Sequence, residues 1–326
     1  MLHKMIDKLL EYETIGVYSH IRPDGDCIGA QVGLCFWLQQ NGVDVYAFND
    51  DPVPVNLTWL ADYFPIQRPD EDTIRQCDAF VVLDGNTPSR FGSYEWFVEQ
   101  FPRPTYMIDH HPDPDDHFDI SFWIEDASST CELIFQFYWN KDIEQITPEV
   151  AKALYTGILT DTGSLRYDSV TPDTLTVASE LLRRGNFRPN EVAERLFVYQ
   201  RMEELELLGL ALQTIELHAD NQIATMCVTS EMLEKTDTTN DDCRGFVSYP
   251  LSIAGIKAAI LFKDLGEGIK MSLRSKSEVD VNQWARLLGG GGHKKAAGAW
   301  HPGPLDQAVK EVVQLGVQHM LNSVKS

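Results

Sequence analysis

Short apolar runs alternate with helical patterns through the first half of the chain. Four of these runs are short enough to be buried strands. They lie at 14–20, 43–48, 78–84 and 104–108. An apolar segment at 27–42 follows the first run and ends at a glycine, as a helix does, and shorter helical patterns lie around 74 and at 94–100. Because parallel strands need crossover connections, the pattern predicts an α/β fold with a doubly wound, mainly parallel sheet.

The second half of the chain has a different organisation. Helical patterns occupy 129–184. The pattern then breaks, and one or two connecting helices follow. Beyond them, strand-like runs lie at 222–229, 256–264 and 268–275, a helix at 281–288 and a closing helix from Leu305. This mixture predicts a smaller α+β domain.

These patterns give the expected domain organisation. We predict a first domain at 1–187, a helical linker at 188–212 and a second domain at 213–326. We expect the two domains to face each other across a cleft whose length limits the substrate.

The charge is unevenly distributed. The net charge is −22, and residues 1–212 carry 15 Lys and Arg against 36 Asp and Glu. Proteins that coat long duplex nucleic acid must neutralise many phosphates, so this balance argues against such a partner. Short anionic ligands remain compatible with it. The acidic first part favours cations, and the nearly neutral remainder favours an anion-binding site.

The cysteine spacing and the N-terminal sequence indicate the cellular compartment. The six cysteines are scattered without C-x-x-C spacing, which favours neither a zinc site nor a disulfide framework. The first 16 residues are charged throughout and lack the features of a signal peptide. No apolar run approaches the length of a membrane span. We therefore expect a cytoplasmic protein with no membrane partner.

Acidic and imidazole side chains follow several of the predicted elements. They are His20, Asp24 and Asp26 after the first strand, Asp84 after the third, Asp109, His110 and His111 after the fourth, and Asp161 near a helix end. A single Asp in such a place is commonly a cap or turn residue. Several together are different, because converging anions repel unless cations hold them. The set predicts a metal centre.

The donor types indicate which metal would bind. Carboxylate oxygen and imidazole nitrogen suit Mn²⁺, with Mg²⁺ or Co²⁺ as alternatives, and the motifs contain no zinc-type thiolate set. The donors are too many for one ion. Two divalent ions that share a bridging carboxylate would hold a hydroxide and a phosphoryl group for in-line displacement. Phosphoester hydrolysis is the chemistry that this arrangement favours.

Four segments in this order resemble the motifs of the DHH family of phosphoesterases: "HIRPDGD", "VVLDGN", "MIDHH" and "LTDTGSLRY". Two later segments, "SLRSK" and "GGGGHKKAAGA", resemble the associated DHHA-type substrate domain. The resemblance covers nearly the whole chain. Length and layout are similar to the stand-alone oligoribonuclease (nanoRNase) and pAp phosphatase branch of the family.

The resemblance implies a role for each metal-binding motif. It implies one ion held by His20, Asp24 and Asp84. It implies a second ion held by Asp26, Asp84, His110 and Asp161. Asp84 would then bridge the ions. His111 would face the scissile phosphate as a positive or proton-donating group, and Asp109 would orient its neighbours.

Further residues are candidates for substrate binding. In "DGNTPSRFG" the chain departs from the commonest family form at Gly85 and Asn86, and Arg90 is interpreted as retained. Arg274, at a predicted strand end, is the candidate for a bidentate grip on a phosphate, and an ordinary surface arginine is the alternative.

The glycine run is the last candidate. Its residues Gly290, Gly291 and Gly292, with His293, could converge amide groups and charge on an anion. A flexible turn is the alternative from the residues alone. The resemblance implies that this run contacts the substrate end remote from the metals.

The resulting hypothesis is a Mn²⁺-dependent enzyme that hydrolyses short oligoribonucleotides to mononucleotides and removes a phosphate from 3′-phosphoadenosine 5′-phosphate (pAp). One alternative is a phosphodiesterase of linear or cyclic dinucleotides such as pApA. Another is a non-catalytic nucleotide-binding regulator that has kept the fold. Nothing in the residues requires a homodimer, although the family type allows one.

Overall fold

The computed structural model describes residues 1–197, 201–276 and 278–323. The chain divides into two compact units, Met1–Tyr199 and Gln200–Ser326. Across the described residues, no helix combines the length and the apolar content that a membrane span needs.

The first unit is built on a six-stranded sheet in which every pairing is parallel. Its strands are β1 (Thr14–Ser19), β2 (Asp44–Phe48), β3 (Ile66–Gln67), β4 (Ala79–Leu83), β5 (Thr105–Asp109) and β6 (Ile120–Trp123). Their spatial order is β3-β2-β1-β4-β5-β6. The predicted doubly wound, mainly parallel sheet is therefore confirmed. β3 and β6 were not predicted.

Helices cover both faces of this sheet. They are α1 (Leu2–Leu9), α2 (Gly25–Gln40), α3 (Thr58–Ala61), α4 (Glu71–Ile74), α5 (Tyr94–Gln100), α6 (Thr130–Lys141), α7 (Pro148–Asp161), α8 (Pro172–Gly185) and α9 (Pro189–Phe197). Successive residues of a strand point to opposite faces of the sheet, and each face has its own hydrophobic core. Val17 packs in one core and Tyr18 in the other. Burial on both faces explains why the central strands are continuous apolar runs.

Helix α2 lies at the centre of the larger core and is buried along nearly its whole length. Glycines let it approach α7 closely. A Cβ on Gly29 would overlap the Ala153 carbonyl oxygen of α7, and one on Gly157 of α7 would overlap Asp26 Oδ1 of α2. The close approach brings the first turn of α2 against the N-terminus of α6.

The second unit contains a mixed sheet with helices. The helices are α10 (Met202–Leu212), α11 (Ser230–Thr236), α12 (Ser248–Ser252), α13 (Val281–Arg286) and α14 (Leu305–Ser323). The strands are β7 (Glu216–His218), β8 (Ile223–Val228), β9 (Ala258–Asp264), β10 (Ile269–Ser275), β11 (Gly291–His293) and β12 (Ala296–His301), in the order β11-β12-β10-β9-β8-β7. Only the β8–β9 pairing is parallel among these described strands. The α+β class of this part is confirmed.

Part of the glycine run forms a strand and is not a flexible turn, and its role in binding an anion stays a prediction. Gly291, Gly292 and His293 form the edge strand β11, which pairs with β12. The glycines are needed for close backbone approach, because a Cβ on Gly290 would overlap the Gly298 carbonyl oxygen.

Candidate metal centre

The predicted ligands gather where the order of the parallel strands reverses. β1 lies between β2 and β4, and Ser19 pairs with Leu83 at the carboxyl ends of β1 and β4. The next residues along the chain are His20 and Asp84. Crevices at such switch points are the usual ligand sites of open α/β sheets, so the topology itself brings these two side chains together.

His20 is buried and held in one orientation. Its Nδ1 donates to the carbonyl oxygen of Ile21 at 2.8 Å. In the neutral ring this bond places the proton on Nδ1 and leaves Nε2 with a lone pair, as a metal ligand requires. Nε2 lies 3.3 Å from Asp84 Oδ2 and 3.8 Å from Asp24 Oδ2.

The first turn of α2 supplies two carboxylates. Asp24 is the N-cap, and its Oδ1 accepts from the backbone N–H groups of Asp26 and Cys27 at 3.1 and 3.2 Å. The cap contact leaves Oδ2 on the side of His20. Asp26 is the second residue of α2, and its side chain has no exposed surface.

His110 is the centre of the second group. Its Nδ1 lies 3.2 Å from the Ala127 carbonyl oxygen and donates to it, which again presents Nε2. That atom lies 3.2 Å from Asp161 Oδ2, 3.5 Å from Asp84 Oδ1 and 3.8 Å from Asp26 Oδ2. Residues from four separate segments therefore meet around one nitrogen.

Asp84 belongs to both groups. One carboxylate oxygen faces His20 and the other faces His110. Its backbone has a φ of +60°, a left-handed conformation that aspartate tolerates better than most residues. Backbone conformations of this kind concentrate at functional sites, where the surrounding structure enforces them.

His111 points to a different partner from its neighbour. Its Nδ1 lies 2.8 Å from Oδ1 of the fully buried Asp109 and 3.6 Å from Asp84 Oδ1. The Asp109 carboxylate fixes the ring orientation. The adjacent residues His110 and His111 are thus held by different groups, one by a carbonyl and one by a carboxylate.

The electrostatics of the cluster are compatible with bound cations. Burial, together with the charges of Asp84 and Asp161, raises the pKa of Asp26 well above its usual range. Burial also raises the pKa of Asp161, although His110 opposes the effect. For Asp84, burial favours a higher pKa, but His110, His20 and His111 outweigh it and hold the pKa well below the usual range. The oxygen and nitrogen donors fit divalent ions such as Mn²⁺ or Mg²⁺, which would relieve this repulsion.

Arg90 lies beside the loop that carries His20. Its carbonyl oxygen accepts from the Ile21 N–H at 2.8 Å. The backbone turns at Gly92 with a φ of +59°. Asp50 holds the following residue, with Oδ1 2.7 Å from Ser93 Oγ. Arg90 is half-buried, and its backbone position next to His20 is fixed.

In the second unit, two predicted substrate residues fall in one row of the sheet. Arg274 of β10 and His293 of β11 both pair with Ala296 of the intervening strand β12. Residues directly opposite each other point to the same face, so these two side chains share a face. Leu273 and Ala297 point to the other face of the sheet, where they are buried in a hydrophobic core.

Sequence reasoning missed several groups that contact the predicted ligands. Thr130 Oγ1 donates to Asp84 Oδ1 at 3.0 Å, and the Cys27 thiol adjoins His20 and Asp24. The Ala127 carbonyl oxygen accepts from His110. The only signal was "SST" at 128–130, which predicted a helix cap and nothing more.

Comparisons with known proteins show which family the chain resembles. Residues 14–158 match the model described as "DHH family, N-terminal domain", and residues 220–316 match the DHHA1 domain. The chain is 30% identical to the probable bifunctional oligoribonuclease and PAP phosphatase NrnA of Streptococcus mutans, over 90% of this chain and 92% of that protein. It is 28% identical to the Bacillus subtilis protein of the same activities, over 92% and 93%.

One solved structure is similar over its whole length. It is an exopolyphosphatase-related protein from Bacteroides fragilis, with a TM-score of 0.92 and 29% sequence identity. The alignment covers 100% of this chain and 98% of that one.

Proposed function

The chain belongs to the DHH family, and from that membership we propose that it is a two-metal phosphoesterase that hydrolyses short oligoribonucleotides to mononucleotides and dephosphorylates pAp. One observation carries the two-metal assignment. The two oxygens of Asp84 face two different imidazole nitrogens, at 3.3 and 3.5 Å, as a bridging carboxylate should. Relatives named for both activities support the choice of substrates.

We assign the ligands as two sets that share Asp84. The first set is His20, Asp24 and Asp84. The second set is Asp26, Asp84, His110 and Asp161. Mn²⁺ is the proposed metal, since mixed carboxylate and imidazole donors suit it, and Mg²⁺ or Co²⁺ are the alternatives.

Two such ions would supply Lewis acidity and would lower the pKa of a bound water towards neutrality. The protein supplies positioning. Asp109 accepts from Nδ1 of His111 and so fixes the ring, and His111 is proposed to donate from its other nitrogen to the phosphoryl group or the leaving oxygen. Water adds to phosphorus, the P–O bond to the leaving nucleoside oxygen breaks, and that oxygen takes up a proton.

Residues of the second unit are proposed to hold the far end of the substrate. Arg274 and His293 share one face of the sheet, and a guanidinium beside an imidazole suits a terminal phosphate. Gly290, Gly291 and Gly292 are proposed to let the substrate approach the backbone closely. Arg90 is proposed to contact the substrate near His20.

Purified protein tests the proposal directly. It is assayed with Mn²⁺ against pAp, a diribonucleotide, pApA, pyrophosphate and tripolyphosphate, each beside an Asp84→Ala control. Turnover of pAp and the diribonucleotide, absent in the control, supports the proposal. Activity confined to pApA would indicate a dinucleotide phosphodiesterase, and activity confined to the two polyphosphates would indicate a different substrate class. No turnover with Mn²⁺, Mg²⁺ or Co²⁺ would indicate a non-catalytic regulator.

A further inference from the structure

The segment 127–132, at the start of α6, contacts three of the proposed ligands and supplies none itself. The Ala127 carbonyl oxygen accepts from His110. The N–H groups of Thr130 and Cys131 donate to the two oxygens of Asp26 at 2.7 and 2.9 Å. These contacts come from a part of the chain about 100 residues from Asp26 in sequence.

Thr130 makes two of the contacts at once. Its backbone N–H donates to Asp26 Oδ2, and its side-chain hydroxyl donates to Asp84 Oδ1 at 3.0 Å. Asp26 lies on α2 and Asp84 on the loop after β4, so one residue joins carboxylates from two different elements. Thr130 has no exposed surface, and the two carboxylates have almost none.

The Thr130 backbone is itself firmly held. Ser129 caps α6 by accepting from the Glu132 N–H at 3.1 Å. The buried Glu132 carboxylate accepts from Ser128 Oγ at 2.5 Å and from Thr174 Oγ1 at 2.9 Å. Because Thr174 lies on α8, these bonds fix the start of α6 to a neighbouring helix. The backbone of Thr130 is therefore held by bonds that involve none of the proposed metal ligands.

We propose that Thr130 is a positioning residue that sets the relative placement of Asp26 and Asp84, and with it the binding of the two metal ions. Hydrogen bonds to one lone pair of a carboxylate direct the remaining lone pairs, and such outer partners tune metal affinity. The inference rests on the proposed function, since it matters only if these carboxylates hold metal. The alternative is that Thr130 merely satisfies buried acceptors and stabilises the fold.

Two variants separate these roles. Thr130→Val keeps the volume and the backbone N–H but removes the hydroxyl, and Thr130→Ser keeps the hydroxyl. The matched control is Thr156→Val, which removes another fully buried hydroxyl, one that bonds to the Lys152 carbonyl oxygen. Mn²⁺ stoichiometry and affinity are measured by calorimetry, alongside kcat and KM for pAp and thermal unfolding without metal.

We expect Thr130→Val to weaken Mn²⁺ binding by about 10- to 100-fold and to lower kcat, with little change in KM. Thr130→Ser should restore both, and Thr156→Val should leave Mn²⁺ affinity unchanged. If Thr130→Val binds both ions like the wild type and loses only thermal stability, the inference is wrong. If Thr130→Val does not fold, Thr130→Cys takes its place. A thiol is a weaker donor, so Mn²⁺ affinity must still fall below that of Thr130→Ser.

Failure of the proposed function gives a different result. Wild-type protein that binds no Mn²⁺ contradicts the metal centre itself. Wild-type protein that binds two ions, with an unaffected Thr130→Val variant, contradicts only the role of Thr130.

Discussion

Nδ1 of His111 lies 2.8 Å from Oδ1 of Asp109, and the carboxylate is fully buried while the imidazole is partly open. A buried acceptor of this kind holds a ring in one tautomer and one orientation. Asp109 therefore orients the imidazole ring of His111, and His111 is the residue proposed to act on the substrate.

The first prediction concerns this pair. Asp109→Asn keeps the shape but removes the negative acceptor, so we expect kcat to fall by about 10²-fold or more while Mn²⁺ affinity stays within a few-fold. A double-mutant cycle with His111→Ala checks the coupling. Additive losses in the cycle would contradict the orienting role of Asp109.

The second prediction concerns Gly157 on α7. A Cβ here would lie 2.5 Å from Asp26 Oδ1 and would overlap the Cys131 sulfur. We expect Gly157→Ala to lower the free energy of unfolding by about 1–3 kcal/mol and to weaken Mn²⁺ binding, because Asp26 must shift. Denaturant unfolding and calorimetry measure the two effects.

Gly209 provides the matched control for that prediction. It lies inside α10, and a Cβ there meets nothing within 4 Å. Gly209→Ala should instead stabilise the protein by about 0.5–1 kcal/mol, since alanine is the better helix former. Equal effects at the two positions would contradict the close packing described for Gly157.

The third prediction concerns pH. Burial opposes protonation of His20 and His110, but neighbouring acidic groups outweigh it and raise the pKa of both above the ordinary value of 6.5. Their stabilisation of the metal-free protein is thus fully present below pH 6.5 and is lost as pH rises through the higher folded-state values. Divalent ions compete with the same protons.

We therefore expect the increase in Tm caused by Mn²⁺, measured anaerobically, to be larger at about pH 8 than at about pH 6. A His20→Asn variant should reduce the difference between the two pH values. An increase in Tm that is equal or smaller at the higher pH would contradict competition between protons and metal.

The fourth prediction concerns Arg274. If its guanidinium grips a phosphate through two donors, both Arg274→Ala and Arg274→Lys should raise KM for pAp by about 10- to 100-fold, with unchanged Mn²⁺ affinity. Lys270, four residues earlier on β10, gives the control variant Lys270→Ala. Full rescue by Arg274→Lys would indicate simple charge attraction rather than bidentate binding.

The central strands and the residues of the acidic and histidine cluster could be predicted because their signals are local. β1, β4 and β5 are buried on both faces and read as continuous apolar runs, and the acidic motifs follow directly. β3 has two residues, too few for any periodicity. β11 could not be recognised, since its glycines reflect the proximity of the β12 backbone rather than a strand propensity.

The role of Thr130 could not be predicted for a different reason. Its sequence neighbours indicate a helix cap, and α6 does begin there. Its contacts with Asp26 and Asp84 depend on how α2, α6 and the loop after β4 pack together. Such contacts exist only in the folded chain, and no spacing along the sequence encodes them.

The bridging position proposed for Asp84 also has a consequence for folding kinetics. The proposed ligands lie between positions 20 and 161, so a bound ion would close long chain loops much as a cross-link does. A chain emerging from the ribosome cannot complete the centre until residue 161 is available. Metal capture would then be a late step of folding, and amide exchange should slow together in β1, β4 and α7 when the ions enter.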